Sequence, residues 1–260
     1  MTPKVVSFDL DGTLIEGPFT RALHDAARDI AGVDGEAAAF ADLISKHETL
    51  LQTDAAAAYD WETIVNGYAA EHGHGQVPTA TVTERINAYA FAGLTELVHA
   101  DTVENLLRLR EADWRLVIAT NGWRRFQEPL IRGAGLADLI DELIASDDVG
   151  VPKPAAAVFS RIRGSSDRHI HVGDRIDHDV VGANRAQATS VLLRPGLPLE
   201  GATDTLTPEQ TADLNRYLDG VIESEFGAAR APGNSLAPEQ VPDLVASSLT
   251  SAVDLILAGH

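Results

Sequence analysis

Short apolar runs that alternate with helical segments are the feature that most restricts the fold of this chain. The runs have the length and composition of buried strands and lie at residues 4–10, 115–120, 143–145, 169–172 and 190–193. The segments predicted as helices lie between them, at residues 102–112, 124–133, 154–163 and 179–188. This alternation predicts an α/β fold, in which helices cover both faces of a parallel sheet.

Acidic, hydroxyl and cationic side chains follow the ends of these predicted strands. Asp9 lies near the end of the first run and Asp11 directly after it. Thr120 is the last residue of the second run, and Asp174 follows the fourth. Because ligands in open parallel sheets bind at the carboxyl ends of the strands, we expect these residues to meet at one edge of the sheet.

Residues 9–13, Asp-Leu-Asp-Gly-Thr, carry the most specific chemistry. Two carboxylates separated by one residue suit attack on phosphorus, since Asp9 can act as a nucleophile and Asp11 can transfer a proton. Gly12 lets backbone N–H groups approach phosphate oxygens. This segment therefore predicts a site of phosphoryl transfer.

Three further motifs follow in order: Thr120-Asn121-Gly122, Lys153-Pro154, and Gly173-Asp174 with Asp179 five residues later. Together with residues 9–13 they resemble the four motifs of the haloacid dehalogenase superfamily, and the resemblance covers about two thirds of the chain. It implies a Rossmann-like, three-layer α/β/α core with a parallel sheet. It also implies a function, since most members of that superfamily are Mg²⁺-dependent phosphohydrolases.

The resemblance also implies roles for these residues. Asp9 would form an aspartyl-phosphate, and Asp11 would first protonate the leaving oxygen and then activate water. Thr120 and the backbone N–H of Asn121 would bind phosphate, while Lys153 would neutralise the transferring group and restrain Asp9. Asp11 favours cleavage of a phosphate ester over a carbon–halogen bond, because a departing alkoxide needs a proton and a halide does not.

A magnesium site is predicted beside the nucleophile. Asp174 directly follows a strand and a glycine, which suits direct binding of Mg²⁺. Asp179 could support the ion through a bound water while it caps the next helix, and Asp177 is a competing carboxylate in the same loop. Asp9 and the backbone carbonyl of Asp11 would complete the protein ligands.

Residues 16–97 interrupt the strand pattern with apolar residues spaced by three and four, as in amphipathic helices. An all-helical block inserted after the first motif resembles the helical cap of the superfamily's first class. We therefore predict a core of residues 1–15 and 98–260 and an α-helical cap of residues 16–97, which would close over the site.

Other residues near the motifs are weaker candidates. Those that we expect to contact substrate are Glu16, Thr20 and Arg124. His178 could approach the site, whereas His169 and His171 alternate on a buried strand and are predicted to be core residues.

Residues 195–240 separate the fifth strand from an expected last strand and closing helix near the C-terminus. This segment contains a predicted helix at 208–226 and a loop rich in Gly, Pro, Asn and Ser at 227–238. We predict an insertion, which the sequence allows to be either a lid or an oligomer contact.

Composition excludes several other classes of protein. The chain has no cysteine, so disulfides, thiol nucleophiles and zinc–cysteine sites are excluded. Its formal net charge of −19 argues against nucleic-acid binding. No apolar run approaches the ~20 residues of a membrane span, and the N-terminus lacks a signal-peptide pattern, so we expect a cytoplasmic protein without a membrane partner. The acidic, arginine-biased, alanine-rich chain indicates either a halophile or a high-GC genome, and its oligomeric state stays open.

These features favour Mg²⁺-dependent hydrolysis of a small phosphate monoester, a phosphorylated metabolite, through an aspartyl-phosphate. A phosphosugar mutase on the same scaffold is the alternative, since only the cap would separate the two functions. Asp11 disfavours a dehalogenase, and the four intact acidic and cationic motif positions disfavour a non-catalytic ligand-binding protein.

Overall fold

A seven-stranded, mostly parallel sheet forms the centre of the protein. The computed structural model describes residues 3–72, 80–226 and 236–259. The strands are β1 (Lys4–Phe8), β2 (Ile15–Glu16), β3 (Glu96–Leu97), β4 (Arg115–Thr120), β5 (Glu142–Ala145), β6 (Arg168–Gly173), β7 (Thr189–Leu193), β8 (Gly201–Ala202) and β9 (Leu244–Ala246). Their order in the main sheet is β5-β4-β1-β6-β7-β9-β8, and every neighbouring pair is parallel except β9 with β8.

Helices surround this sheet and form most of the segment between β2 and β3. They are α1 (Phe19–Thr53), α2 (Trp61–Glu71), α3 (Val82–Phe91), α4 (Thr102–Glu111), α5 (Arg124–Gly133), α6 (Ser146–Val149), α7 (Ala156–Arg163), α8 (Val181–Arg185), α9 (Pro208–Phe226) and α10 (Leu249–Ala258). Gly32, with a φ of 72°, interrupts α1 and divides it into two helical pieces. Within the described ranges, none of the helices is both long and apolar enough to cross a membrane.

Side-chain alternation along the central strands separates two apolar layers. Val6 and Phe8 of β1 are fully buried in the layer formed with α4, α5 and α10, whereas Val5 belongs to the layer on the opposite face. That second layer contains Val158 and Phe159 of α7. The predicted three-layer α/β/α core with a Rossmann-like parallel sheet is therefore confirmed.

The helical block of residues 16–97 packs directly on the core. The antiparallel pair β2–β3 joins the two ends of the block. Helix α3 approaches α5 so closely that a side chain at Gly133 would come within 2.9 Å of the backbone oxygen of Ala90. Ile86 of α3 and Phe126 of α5 belong to one buried apolar cluster. The division of the chain into a core and a cap stays a prediction.

Helix α9, within the predicted insertion of residues 195–240, covers the sheet beside β7 and β9. Leu218 and Ile222 of this helix are buried in one apolar cluster with Val245 of β9. The helix has the bounds predicted from the sequence, while residues 227–235 of the predicted loop lie outside the described residues. This helix therefore adds to the hydrophobic core.

The starts of two helices differ from the predicted ones. Helix α7 starts at Ala156 rather than at Pro154, because a hydrogen-bonded turn precedes it. The helix expected from Asp179 instead opens with a π-helical turn at Ile176. The earlier start has a physical cause, since the carboxylate of Glu225 accepts the backbone N–H of Ile176 at 2.8 Å.

Candidate active site

Asp9 follows β1 with its carboxylate at the bottom of a cleft. It is 8% exposed, and its Oδ1 accepts a hydrogen bond of 2.6 Å from Lys153 Nζ. Its Oδ2 receives a longer hydrogen bond of 3.4 Å from the Thr13 hydroxyl. Burial raises the pKa of Asp9; the positive charge of Lys153 opposes the rise, and the negative charge of Asp179 adds to it.

Lys153 is buried between two carboxylates. Its side chain is 2% exposed, and Nζ donates to Asp9 Oδ1 and Asp179 Oδ1, both at 2.6 Å. Burial alone would lower the pKa of Lys153, but the charges of Asp179 and Asp9 outweigh it and raise the pKa. Burial alone would raise the pKa of Asp179, but the Lys153 charge and a hydrogen bond from His171 lower it. The lysine thus stays charged and fixes both carboxylates.

A chain of buried hydrogen bonds continues from this ion pair across β6 to β1. His171 Nε2 lies 3.0 Å from Asp179 Oδ1, and its Nδ1 lies 2.8 Å from Ser7 Oγ. The same hydroxyl lies 2.8 Å from His169 Nε2. Both histidines are buried, as predicted, but His171 also orients Asp179. We call Asp9, Lys153, Asp179 and this hydrogen-bonded chain the floor of the site.

Asp11 faces the open side of the cleft. Its carboxylate is exposed to the cavity, and Oδ2 accepts a hydrogen bond of 2.7 Å from Gln127 Nε2. The cleft walls still displace much of the surrounding water, and this desolvation, followed by the charge of Asp9, raises the pKa of Asp11 to about 7. A side chain at Gly122 would overlap Gln127, so the glycine of the second motif leaves room for the residue that holds Asp11.

Three carboxylates converge beside the nucleophile. Oxygen atoms of Asp9, Asp174 and Asp179 all lie within 4.8 Å of one another. Thr13 Oγ bridges Asp9 Oδ2 and Asp174 Oδ1 at 3.4 Å each. Burial, followed by the charges of Asp9 and Asp179, raises the pKa of Asp174 to about 7. Even with Lys153 present, this group has excess negative charge, which suits a divalent cation that prefers oxygen ligands.

Asp179 differs from the other two acids of this group. It is 1% exposed, and its Oδ1 is occupied by Lys153 and His171. Its Oδ2 accepts the backbone N–H of Arg175 at 3.1 Å. A side chain at Gly173 would overlap its carboxyl group, so the fourth motif requires glycine for close approach. Asp9 and Asp174 are therefore better placed than Asp179 to bind a divalent cation directly. This arrangement favours an indirect role in cation binding for Asp179.

Thr120 ends β4, Asn121 follows it directly, and both are buried. The Thr120 hydroxyl accepts the N–H of Gly122 at 3.2 Å. Asn121 Oδ1 accepts the backbone N–H of Lys153 at 2.7 Å, and its Nδ2 donates to Tyr59 Oη at 3.0 Å. Asn121 therefore links the lysine loop to the helical block.

A cavity of about 340 Å³ lies over these residues. Asp9, Lys153 and Asp179 of the floor line it from below, and Gln127, Arg175 and His178 line it from the core. The lining residues that come from the block of residues 16–97, which we call the cap side, are Glu16, Gly17, Phe19, Thr20, His47, Tyr59 and Trp61. The structure thus brings the expected contacts Glu16 and Thr20 to the cavity, together with His178.

One expected substrate contact is placed elsewhere. Arg124 donates to both carboxylate oxygens of Asp148, at 3.0 and 2.6 Å, and to a backbone carbonyl, so its guanidinium is bound away from the cavity. The N–H of Gly12 itself donates to the Ile15 carbonyl at 2.9 Å and closes the loop, while the approach of neighbouring N–H groups to a phosphate stays a prediction. Gly12 also leaves space for Asp174, whose Oδ2 would lie 3.1 Å from a side chain there.

Several lining residues were not predicted from the sequence. His47 stacks on Trp61 with ring centroids 4.7 Å apart, and its Nδ1 lies 2.7 Å from the Ala58 carbonyl. Since a carbonyl can only accept, Nδ1 carries the proton and Nε2 of the neutral ring is an acceptor. Arg175 donates twice to the Asp177 carboxylate, at 2.9 and 2.6 Å, so the cationic group on this wall is already paired.

Comparisons with known proteins agree on the family. The sequence model of the haloacid dehalogenase-like hydrolase family matches residues 3–187. A glyceraldehyde 3-phosphate phosphatase from Methanopyrus kandleri is 27% identical over 232 residues, which cover 84% of this chain and 97% of the relative. A ribulose-1,5-bisphosphate 5-phosphatase from Halopiger xanaduensis is 28% identical, with coverage of 80% and 92%.

A solved structure agrees on the fold. The crystal structure of a HAD phosphatase from Thermococcus onnurineus is similar with a TM-score of 0.60 at 24% identity, over 74% of this chain and 87% of that one. The matched residues 3–187 include all four motifs and the strands that carry them. The chain therefore belongs to the haloacid dehalogenase-like hydrolase family.

Proposed function

We propose that this protein is a phosphatase that hydrolyses a small phosphate monoester through an aspartyl-phosphate on Asp9. The observation that carries the proposal is the placement of Asp9 and Asp11 in one cavity, with Lys153 2.6 Å from the first and Gln127 2.7 Å from the second. The family match and the phosphatase relatives support the same class of reaction.

Asp9 attacks phosphorus and Asp11 moves the proton. In the first step a bond forms between an Asp9 carboxylate oxygen and phosphorus, the ester P–O bond breaks, and protonated Asp11 gives its proton to the departing oxygen. In the second step water attacks phosphorus, the Asp11 carboxylate takes its proton, and Asp9 leaves as a carboxylate. A pKa of about 7 suits both directions of transfer. Lys153, Thr120 and Asn121 would bind the phosphoryl oxygens.

Mg²⁺ fits the acidic cluster by charge and by ligand type. Asp9, Asp174 and the backbone carbonyl of Asp11 would hold the ion, and Asp179 would support it indirectly. Bound there, Mg²⁺ would neutralise negative charge on the phosphoryl group. The raised pKa values of Asp9 and Asp174 support this assignment, because a nearby cation would stabilise both carboxylates in their charged form.

The cap side of the cavity favours an uncharged, hydroxyl-bearing organic group. Its described lining residues include no lysine or arginine, and Glu16 adds a negative charge. Arg175 on the facing wall is already paired with Asp177. Tyr59 Oη, which accepts from Asn121, keeps its own proton to donate, and His47 Nε2 offers an acceptor. A glycerol-like or sugar-like phosphate therefore fits better than a substrate with a carboxylate.

Phosphate release from a panel of esters tests the proposal. The panel pairs glyceraldehyde 3-phosphate and glycerol phosphate with phosphoglycolate and nitrophenyl phosphate, each assayed with Mg²⁺ and with EDTA. We expect Mg²⁺-dependent release, with a higher kcat/KM for the uncharged organic groups than for phosphoglycolate. Absence of release from every ester would contradict a phosphatase, and movement of phosphate within a sugar phosphate without release would identify the mutase instead.

A further inference from the structure

Two side chains outside the four motifs fasten the loop that carries Asp174. Glu225 lies near the end of α9, and its side chain is 4% exposed. Its Oε2 accepts the backbone N–H groups of Ile176 and Asp177, at 2.8 and 3.1 Å. Its Oε1 accepts a hydrogen bond of 2.8 Å from Arg194 Nη1. A buried carboxylate from the predicted insertion thus reaches the loop of the fourth motif.

Arg194, directly after β7, completes this arrangement. The Nη1 that bonds Glu225 also donates to the backbone carbonyl of Asp174, at 3.0 Å. One ion pair therefore holds three backbone groups within residues 174–177, and we call it the Arg194–Glu225 clamp. Hydrogen bonds between charged groups are strong and geometrically specific when they are partly buried.

The clamp matters because little else holds the Asp174 side chain. Among the described side chains, its carboxylate has one hydrogen bond, of 3.4 Å, from Thr13. The direction of this carboxylate toward Asp9 therefore depends on the backbone that carries it. The clamp fixes that backbone on both sides, at the Asp174 carbonyl and at the following N–H groups.

We propose that the Arg194–Glu225 clamp positions Asp174 for the divalent cation, so that the insertion sets the metal affinity of the site. The inference rests on the proposed metal-dependent function. Neither Arg194 nor Glu225 lines the cavity, so both are positioning residues that act through Asp174. Without the clamp, part of the binding free energy is spent on ordering the loop, and affinity falls.

Calorimetric titration of the full chain with MgCl₂, without substrate, tests the clamp. Glu225→Gln keeps the volume of the side chain but replaces one acceptor oxygen with a donor, and Arg194→Met removes the cation. We expect each change to raise the Kd for Mg²⁺ about tenfold. Glu223→Gln and Arg216→Met are matched controls, because both side chains are exposed on the same helix, and they should bind Mg²⁺ like the parent.

Metal activation of phosphate release supplies a second measurement. The Mg²⁺ concentration for half-maximal rate should rise about tenfold in Glu225→Gln, while kcat at saturating Mg²⁺ returns close to the parent value, because the clamp touches no reacting atom. If Glu225→Gln does not fold, the same two measurements are made on Arg194→Lys, which keeps the positive charge.

The outcomes separate the clamp from the proposed function. A lower Tm of the metal-free variants with an unchanged Kd for Mg²⁺ would mean that the clamp only stabilises the fold, and would overturn the inference. In that case the parent still binds Mg²⁺ and releases phosphate, so the proposed function stands. A parent that releases phosphate without binding Mg²⁺ would contradict both the metal assignment and the clamp.

Discussion

The floor and the cap side of the cavity are built in opposite ways. On the floor, Lys153 is buried between Asp9 and Asp179, and hydrogen bonds link Asp179 through His171 to Ser7. On the cap side, His47 and Tyr59 are half-buried aromatic residues. Each has one hydrogen bond and can form another with a ligand. The floor is preorganised for one reaction, whereas side chains on the cap side can be replaced without leaving a buried charge unpaired.

This difference predicts that substitutions on the floor and on the cap side should have different kinetic effects. Changes to Asp9 or Lys153 on the floor should lower the rate with every ester, because these groups would act on the phosphorus or on its charge. Changes on the cap side should alter KM for particular esters, because those residues would meet only the organic group.

The largest effect is expected at the nucleophile. Asp9→Asn keeps the volume but replaces the attacking carboxylate with an uncharged amide, so turnover of every ester should fall by several orders of magnitude. The fold should persist, since Lys153 keeps its bond to Asp179. Steady-state kcat and a thermal unfolding curve check both parts, with exposed Asp34→Asn on α1 as the control. Retention of most of the activity would show that the floor is not the reaction centre.

The next largest effect is expected at Asp11, where a substitution should separate formation of the aspartyl-phosphate from its hydrolysis. Nitrophenolate leaves without much protonation, so Asp11→Asn should still form the aspartyl-phosphate from nitrophenyl phosphate. Hydrolysis of that intermediate needs a base and should slow by about 10²- to 10⁴-fold. Rapid-mixing kinetics should therefore show a burst of one nitrophenolate per enzyme, followed by slow turnover.

Mass spectrometry of acid-quenched Asp11→Asn should find the phosphate on the peptide that contains Asp9. Asp9→Asn, treated in the same way, should give neither burst nor adduct. Slow turnover of Asp11→Asn without a burst would mean that formation of the aspartyl-phosphate limits the rate even with nitrophenolate, and would contradict this prediction.

The strand-end residues of the site were predictable from the sequence because local patterns encode them. Asp9, Thr120 and Asp174 each lie at the end of a strand or directly after it, and one rule of parallel sheets brings such positions together. Arg124 shows where adjacency in sequence misleads. It lies beside the second motif, but the first turn of α5 directs it to Asp148.

Residues that depend on long-range packing could not be predicted. Gln127 meets Asp11 across 116 positions, and only the space left by Gly122 permits the contact. Glu225 reaches the loop that carries Asp174 from a helix whose apolar pattern indicates burial but not a polar contact. His47 belongs to a helix whose pattern predicts packing, yet the stacking on Trp61 that brings its ring to the cavity has no sequence signal.

A smaller effect follows from burial of the floor. Burial, followed by the neighbouring His171, lowers the pKa of His169 from 6.5 to about 3, and the residue is 4% exposed. Below pH 6.5 the unfolded chain therefore binds a proton at His169 that the folded protein does not, and stability falls as the pH drops toward 3. Between pH 8 and pH 5 this residue should cost about 2 kcal/mol of unfolding free energy.

Denaturant unfolding at the two pH values isolates that contribution. His169→Gln keeps a hydrogen-bonding group toward Ser7 but does not titrate, so it should lose about 2 kcal/mol less than the parent over this interval. Exposed His72→Gln at the end of α2 should follow the parent. Equal losses in His169→Gln and the parent would show that the folded floor accepts the proton.

The smallest effect is expected on the cap side. Tyr59→Phe removes the hydroxyl that accepts from Asn121, on a residue that lines the cavity. KM for glyceraldehyde 3-phosphate should rise several-fold, which corresponds to about 1 kcal/mol for one hydrogen bond. The kcat should change less, and nitrophenyl phosphate, which has no hydroxyl on its organic group, should keep its KM.

Tyr68→Phe is the matched control, because it removes a hydroxyl from the same helical block, bonded to Asp42 at 3.3 Å and outside the cavity. An equal rise of KM in this control would mean that any lost cap hydroxyl loosens the block. A fall of kcat with nitrophenyl phosphate in Tyr59→Phe would have a different cause. It would mean that Tyr59 acts through Asn121 on the backbone of Lys153, so that this cap-side residue belongs functionally to the floor.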